Sequence, residues 1–331
     1  MSASRTPMPP PASAAIDTCQ LCGSGARTLK FRDGPFSVFT CNGCGLVYVT
    51  PRLQGQALID VYGADYWKSE NPKQRGYADY SRESTLYLRT FERRMEFVDR
   101  WLPPKSRVLD VGCAAGYFLR VAQKRGHDVH GVEPSQAIAA QAVAALGNER
   151  IHVGTLETAV KQKNYAPGSF DLVTLWDVLE HVPEPQPLLR TVRELLKPSG
   201  RLLLETQNVS SVVARVLGRR WHHYKHDEHL YHFSPRTIRI LLSDCGFRVL
   251  DLRSGFAGKY VSLGFVAERA GRLGRIAGML ASPLRLLERC SLYVNPRDEI
   301  IVVAEPTATT VTAWGSPQGA PARSGSREPS A

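Results

Sequence analysis

Three groups of side chains in this 331-residue chain have types and spacings that can do chemistry. Cys19-x2-Cys22 and Cys41-x2-Cys44 are separated by 18 residues, and a glycine, Gly23 or Gly45, follows each pair. Two such knuckles offer four thiolates to a tetrahedral zinc ion, and the glycines let backbone N–H groups turn towards sulfur. With all four positions filled by Cys19, Cys22, Cys41 and Cys44, no site is left for water, so the expected zinc is structural. A second group is Asp110-x-Gly112-x-x-x-Gly116, followed 23 residues after Asp110 by Glu133. Glycines at both ends of a turn let the backbone approach a ligand, and an acid at the next strand tip is placed to accept two hydrogen bonds from a ribose diol. The third group is Trp221 to Pro235, with histidines at 222, 223, 226, 229 and 232. Histidine titrates near neutrality and can take a proton from a hydroxyl, and His229 is the expected general base. Along the chain, no carboxylate or cysteine spacing supports a metal site among these five.

These residues need a scaffold, and the apolar pattern supplies one. Val108 to Val111 reads as a buried strand that stops at Gly112, where an amphipathic helix with Phe118, Leu119 and Ala122 begins. The free N–H groups at its start face any ligand in the turn. His127 to Val132 is the second strand, and Ile151 to Val153, Phe170 to Trp176 and Gly200 to Glu205 follow. Helical stretches lie between them at Gln136 to Leu146 and Pro187 to Leu196. Such alternation predicts a parallel sheet with helices on both faces, binding its ligand at the carboxyl ends of the strands. Gly112, Glu133, Gly154 and Asp177 all fall there. Phe247 to Leu252 and Glu299 to Val303 are the last two strands, an antiparallel pair. Tyr80 to Trp101 reads as a long amphipathic helix before the core. Val261 to Tyr293 reads as an amphipathic basic helix broken near Ser282-Pro283, either a lid or a membrane-surface element.

The Asp110-x-Gly112-x-x-x-Gly116 turn with Glu133 resembles the class I S-adenosylmethionine-dependent methyltransferases. Ala114 stands where that family usually has glycine, which is acceptable there if its φ is negative. The run Cys44-Gly-Leu-Val-Tyr-Val-Thr-Pro-Arg52, with Val61-Tyr-Gly-Ala-Asp-Tyr-Trp67, resembles the N-terminal zinc module of one methyltransferase group. That group includes sugar C-methyltransferases and enzymes whose core is similar to the ubiquinone-biosynthesis O-methyltransferases. The resemblance covers residues 19 to 304. It implies a Rossmann-like α/β fold with a seven-stranded sheet, last strand antiparallel, behind a small zinc ribbon. It also implies S-adenosylmethionine held by Asp110, Gly112, Cys113, Gly116, Glu133, Thr155, Leu156, Trp176 and Asp177. Glu228-His-Leu-Tyr-His-Phe-Ser234 resembles the segment whose Glu-His pair sits by the substrate in sugar C-methyltransferases, which makes Glu228 a catalytic candidate beside His229. Leu179-Glu-His-Val182 matches the family too; Glu180 and His181 either cap and orient the following helix or serve the chemistry, directly or through a metal.

The expected layout is a disordered start (1–16), a zinc ribbon (17–52), a helical linker or cap (53–104), a catalytic domain (105–304, inserted at 255–297) and a disordered tail (305–331). The formal charge is +11, and Val209 to Val294 carries 14 Lys/Arg against 6 Asp/Glu. Such a face suits a nucleic acid, an anionic lipid or a phosphorylated substrate, or is merely solvated. No aromatic–basic alternation for base stacking accompanies it, which speaks against RNA modification. The expected partner is a small-molecule, glycan or lipid-linked acceptor, methylated on oxygen, with sugar C-methylation as the alternative. No signal peptide or 18-residue apolar run is evident, and the cysteines do not form a disulfide framework. A cytoplasmic enzyme, free or peripheral at the inner membrane face, is expected.

Overall fold

The computed structural model describes residues 13–53, 61, 63–67, 83–163, 165–273, 275–287 and 290–308. Residues 1–12 and 309–331 of the expected disordered ends, Tyr62, and residues 80–82 of the long helix lie outside them. Residues 13–14 form a strand, and the last strand runs to Pro306.

The amino-terminal part contains β1 (Ser13–Ala14), β2 (Arg27–Asp33), β3 (Phe36–Cys41), β4 (Val47–Thr50) and β5 (Arg52–Leu53). Two helices follow, α1 (Ala64–Trp67) and α2 (Ser84–Val98). The core then runs β6 (Arg107–Val111), α3 (Tyr117–Lys124), β7 (Asp128–Glu133), α4 (Gln136–Leu146), β8 (Ile151–Val153), α5 (Leu156–Gln162) and β9 (Phe170–Trp176). It continues with α6 (Pro185–Leu195), β10 (Leu196–Gln207), α7 (Val212–Leu217), β11 (Tyr231–His232), α8 (Pro235–Asp244) and β12 (Phe247–Arg253). Last come β13 (Lys259–Ser262), α9 (Leu263–Leu273), α10 (Arg275–Ala281), β14 (Ser291–Val294) and β15 (Glu299–Pro306).

The large sheet has the order β12-β15-β10-β9-β6-β7-β8. Only β15 is antiparallel to its neighbours, β10 and β12. Val108, Leu109, Leu172, Val173, Leu202, Leu203, Val302 and Val303 are fully buried. Helices cover both faces, so these strands read as continuous apolar runs rather than alternating ones. Each such side chain contributes about 1.5–3 kcal/mol by leaving water. The reversal of β15 has a functional consequence. Its amino-terminal end, Asp298 and Glu299, joins the carboxyl-terminal ends of the parallel strands.

The second sheet has the order β11-β4-β3-β2. Three strands come from the cysteine module, and the fourth comes from the histidine-rich segment after β10. Tyr231 pairs with Tyr48 and His232 with Val47. Cys19, Cys41, Cys44, Leu46 and Tyr48 belong to the same buried cluster as Leu109, Val173 and Leu204. The module thus packs into the main core instead of hanging from it.

Residues 261–293 are not one broken amphipathic helix. Tyr260 and Val261 pair with Tyr293 and Leu292, so a two-stranded stem carries two helices and a 3-10 turn, Ser282–Leu287. Leu and Arg spacing looks helical throughout, but β-branched and aromatic residues at the two ends find each other across some thirty residues.

Candidate active site

The carboxyl ends of the strands open into a cavity of ≈ 2390 Å³. Ordinary small-molecule sites occupy roughly 300–1,000 Å³, so there is room for two reactants. One half is lined by Asp110, Gly112, Cys113, Ala114, Glu133, Thr155, Leu156, Trp176 and Asp177. Gly112 has φ 75°, and a Cβ there would lie 2.6 Å from Val178 Cγ2, so no larger residue fits. Gly116 does not line the cavity. A Cβ on it would press on Ala142 and Leu146 at 3.1 Å, so the absence of a side chain lets α3 pack close on α4. Ala114 is also not as expected. Its φ is +46°, in the left-handed region, a strain of order 1–3 kcal/mol. Its amide donates to Glu133 Oε2 at 2.9 Å, which ties the strained turn to the acid opposite.

Glu133 is 5% exposed, and its Oε1 accepts the Ser135 amide at 2.8 Å. A carboxylate has about four lone-pair positions, so two further donors can be accommodated. Burial pushes this carboxyl up to about 7, against the pull of the two amides. Burial likewise pushes Asp110 up to about 8, although Thr174 donates to its Oδ1 at 2.6 Å. Trp67 Nε1 donates to Ser135 Oγ at 3.0 Å and brings α1 over this end. Thr155 caps α5, its hydroxyl oxygen accepting the Thr158 amide at 3.4 Å, and the next residue, Leu156, is buried.

The other half of the wall is polar and comes from four places in the chain. Lys259, at the start of the inserted stem, donates to Asp177 Oδ2 at 3.0 Å and Glu299 Oε1 at 2.8 Å. Crowding of the cavity wall opposes the charge on Asp177, but Lys259 and Arg94 hold its carboxyl below the usual range. Behind it, Arg94 Nη2 meets Glu205 Oε1 at 2.5 Å, both side chains buried, and the guanidinium lies 5.0 Å from the Trp176 ring centre.

His229 and His181 pack edge to face with ring centres 4.7 Å apart. The Nδ1 of His229 lies 2.7 Å from the carbonyl oxygen of His223, and the Nδ1 of His181 lies 2.9 Å from that of Glu228. A carbonyl only accepts, so each Nδ1 carries the hydrogen and each Nε2 keeps its lone pair. Burial, with His181 and Lys225 nearby, holds His229 well below the ordinary histidine range. Burial thus favours its neutral imidazole. Glu180, whose Oε2 accepts the Thr206 hydroxyl at 3.0 Å, offers a ligand atom within 4.8 Å of those of His181 and His229. Neither Glu180 nor His181 caps α6, because Glu184 is its N-cap and Pro185 opens it.

In the module, Cys19 and Cys44 sulfurs are 3.6 Å apart and Cys22 and Cys41 sulfurs 3.5 Å apart. A tetrahedral zinc with bonds of ~2.3 Å needs sulfurs ~3.8 Å apart, so the four thiols fit. A hydrogen bond from Cys44 lowers Cys19 to about 5 and pushes Cys44 itself up, since crowded thiols cannot all ionise without a cation.

A family model described as "Methyltransferase domain" matches residues 82–252. The ubiquinone biosynthesis O-methyltransferase of Xanthomonas axonopodis pv. citri (strain 306) is 31% identical over 182 residues, 48% of this chain and 70% of that protein. The chain belongs to the S-adenosylmethionine-dependent methyltransferases. The Pseudomonas aeruginosa (strain UCBPP-PA14) ubiquinone biosynthesis O-methyltransferase is 29% identical over 147 residues, 40% of this chain and 63% of that one. A solved methyltransferase from Archaeoglobus fulgidus superposes with a TM-score of 0.46 at 19% identity, covering 73% of this chain and 100% of that one.

The methyltransferase's own residues fit S-adenosylmethionine. A buried acid with spare lone pairs, a turn only glycine can make, and a two-reactant cavity lie together. Glu228 stands apart from the other expected site residues. It is not among the cavity-lining residues, and its Oε2 accepts from Tyr66 Oη and Lys225 Nζ, each at 3.1 Å. Sequence reading missed Arg94, Glu205, Lys259, Asp298 and Glu299. A usable signal existed for the last two, since an antiparallel final strand must begin where the parallel ones end.

Proposed function

We propose that the enzyme methylates a hydroxyl of an amphiphilic small molecule, with His229 as general base. The observation that carries this reading is the His229 tautomer: Nδ1–H is fixed on a backbone carbonyl while Nε2 stays free beside the cavity that Glu133 and Asp177 also line. Asp110, Gly112, Cys113, Glu133, Thr155, Leu156, Trp176 and Asp177 would hold S-adenosylmethionine, with Glu133 on the ribose hydroxyls. When bound, that molecule supplies an electrophilic methyl group. What remains for the chain is to orient the acceptor, exclude water and remove one proton. His229 takes that proton at Nε2, and the His223 carbonyl steadies the ring through Nδ1–H. A base held neutral by burial is a weak one, so it suits an acidic hydroxyl. A phenol, with a pKa near ~10 as in tyrosine, matches it better than an alcohol.

Phe265, Val266 and Leu292 on the inserted unit and Leu217 at the end of α7 line the cavity on the acceptor side, which supports an apolar acceptor body. Val212, Val216, Met279, Leu280 and Leu286 are exposed at 70%, 77%, 76%, 79% and 88%. With Arg215, Arg219 and Arg220 beside the first two, this suits contact with an anionic membrane surface that holds such an acceptor. No helix of the described residues is long and apolar enough to cross a membrane. Zinc at the four cysteines would be structural, and residues 17–52 would act as a brace for the acceptor site. The reading is tested by product mass and fragmentation on phenol, sugar-phosphate and RNA panels. A methyl on a phenolic oxygen is expected. Transfer only to sugar carbon or to RNA overturns it.

A further inference from the structure

His222 and His223 read in sequence as part of a histidine run without a carboxylate partner. The fold supplies one from 75 residues further on. Asp298, the residue before β15, lies with Oδ2 3.6 Å from His222 Nε2 and 3.8 Å from His223 Nε2. The three ligand atoms all lie within 4.8 Å of one another. Glu299 Oε1 is a further oxygen, 3.6 Å from His223 Nε2.

Two observations indicate that something is bound there. Asp298 is only 2% exposed, yet among the described residues no lysine or arginine reaches it. Trp221 Nε1 donates to it at 2.8 Å, while the two imidazoles stand off at 3.6 and 3.8 Å. A buried carboxylate normally has a cation or a full set of hydrogen bonds. The second observation is that His223 Nε2 is buried without a hydrogen-bond partner, although it is aimed between Asp298 and Glu299. A buried imidazole nitrogen with nothing to bind is a cost that a metal removes.

We propose that His222, His223 and Asp298 form a site for a divalent transition ion, separate from the four cysteines. Two imidazoles and one carboxylate are a set that zinc, cobalt or iron(II) accepts, and three protein ligands leave coordination positions open. Trp221 Nε1 fixes the carboxylate from behind, as outer partners of metal ligands do. His222, half exposed, completes the site by a small side-chain rotation. All three residues line the methyltransferase cavity, so the open positions are available to an acceptor oxygen. That last step, and it alone, rests on the acceptor reading above.

The site is distinct from the Glu180, His181 and His229 group, and the test separates them. Full-length protein is saturated with ZnCl2, freed of loose ion and analysed by plasma mass spectrometry as wild type and as His222→Ala, His223→Ala and His181→Ala. His222 has a side chain 42% exposed, so its loss leaves the core intact; Asp298→Asn, which keeps the Trp221 contact, serves as a second variant. His222→Ala, His223→Ala and Asp298→Asn are each expected to carry one zinc fewer per chain, with His181→Ala at the wild-type count. An unchanged count in folded His222→Ala overturns the proposal, as does a loss seen in His181→Ala but not in His222→Ala. Because the readout is metal content, a failed acceptor assignment would leave it unaffected.

Discussion

The backbone amide of Val49 donates to the carbonyl oxygen of Leu230 across 3.0 Å, so the cysteine module is bonded to the residue next to His229. Arg52 extends the same seam. Its Nη1 donates to Tyr231 Oη at 2.7 Å, and Tyr231 Oη donates to the Pro183 carbonyl at 2.7 Å. The module is therefore a wall against which the histidine segment is set, two strands away from its own cysteines.

If the four cysteines hold zinc, the ion would act on turnover without touching substrate. Cys41→Ser, or removal of the ion by a chelator, is expected to lower turnover by at least about 10²-fold, as misplacing a reacting group does. S-adenosylmethionine affinity should stay within a few-fold, because Glu133 and Gly112 lie on the other half of the cavity. Titration calorimetry beside a turnover assay checks this. Equal loss of both, or of neither, would count against it.

Glu133 gives a pH signature with a definite sign. Its carboxyl lies at about 7 in the folded protein against an ordinary 4.5. Its contribution to stability is complete below about pH 4.5 and is lost as the pH rises through about 7. A ligand that donates hydrogen bonds to the ionised form reverses the preference. S-adenosylmethionine affinity should then fall about tenfold per pH unit on going down from about pH 7, with a proton released on binding. Glu133→Ala should cost roughly 2–4 kcal/mol of binding at high pH. Calorimetry in buffers of different ionisation enthalpy reads both effects. A flat pH profile in the wild type would rule out the assignment.

The Arg94–Glu205 pair ties the cap helix α2 to the end of β10. Arg94→Met leaves a buried carboxylate without its partner and should destabilise the protein by about 3–5 kcal/mol. Arg94→Met with Glu205→Leu should recover most of that. Thermal melts of the three proteins decide the matter; a single variant as stable as wild type would show that the pair is idle.

The exposed apolar side chains of α7 and of the insertion lead to a flotation result. Full-length protein should float with vesicles containing anionic lipid at low salt, and Val216→Glu with Leu286→Glu should abolish this. Equal recovery of wild type and double variant with the vesicles would remove these residues from any membrane contact.

Much of the catalytic half was legible in sequence because its signals are local. Val108 to Val111 and Phe170 to Trp176 are unbroken apolar runs, and they became β6 and β9 to within a residue. Gly112 and Glu133 sit at strand tips, where periodicity alone puts them in the cleft. Ser234 caps α8, with Thr237 answering it, as a hydroxyl directly before a proline does at a helix start. The acceptor half was less legible, since its partners are far apart in the chain. Nothing near Glu228 announces that Tyr66, 162 residues earlier, will share its carboxylate with the neighbouring Lys225. Likewise, spacing cannot bring Asp298 to His222, or Lys259 to Asp177. Ala114 differs in kind: its left-handed conformation accompanies its amide's bond to Glu133, a long-range contact no propensity expresses.

Removal of the acceptor proton by His229 is put to the test by single-turnover methyl transfer with His229→Ala at saturating S-adenosylmethionine. The rate is expected to fall by about 10²–10⁴ while S-adenosylmethionine affinity and the melting temperature stay at wild-type values. A rate within about twofold of wild type would contradict the claim. So would a loss of cofactor affinity or of folding that accounts for the whole defect.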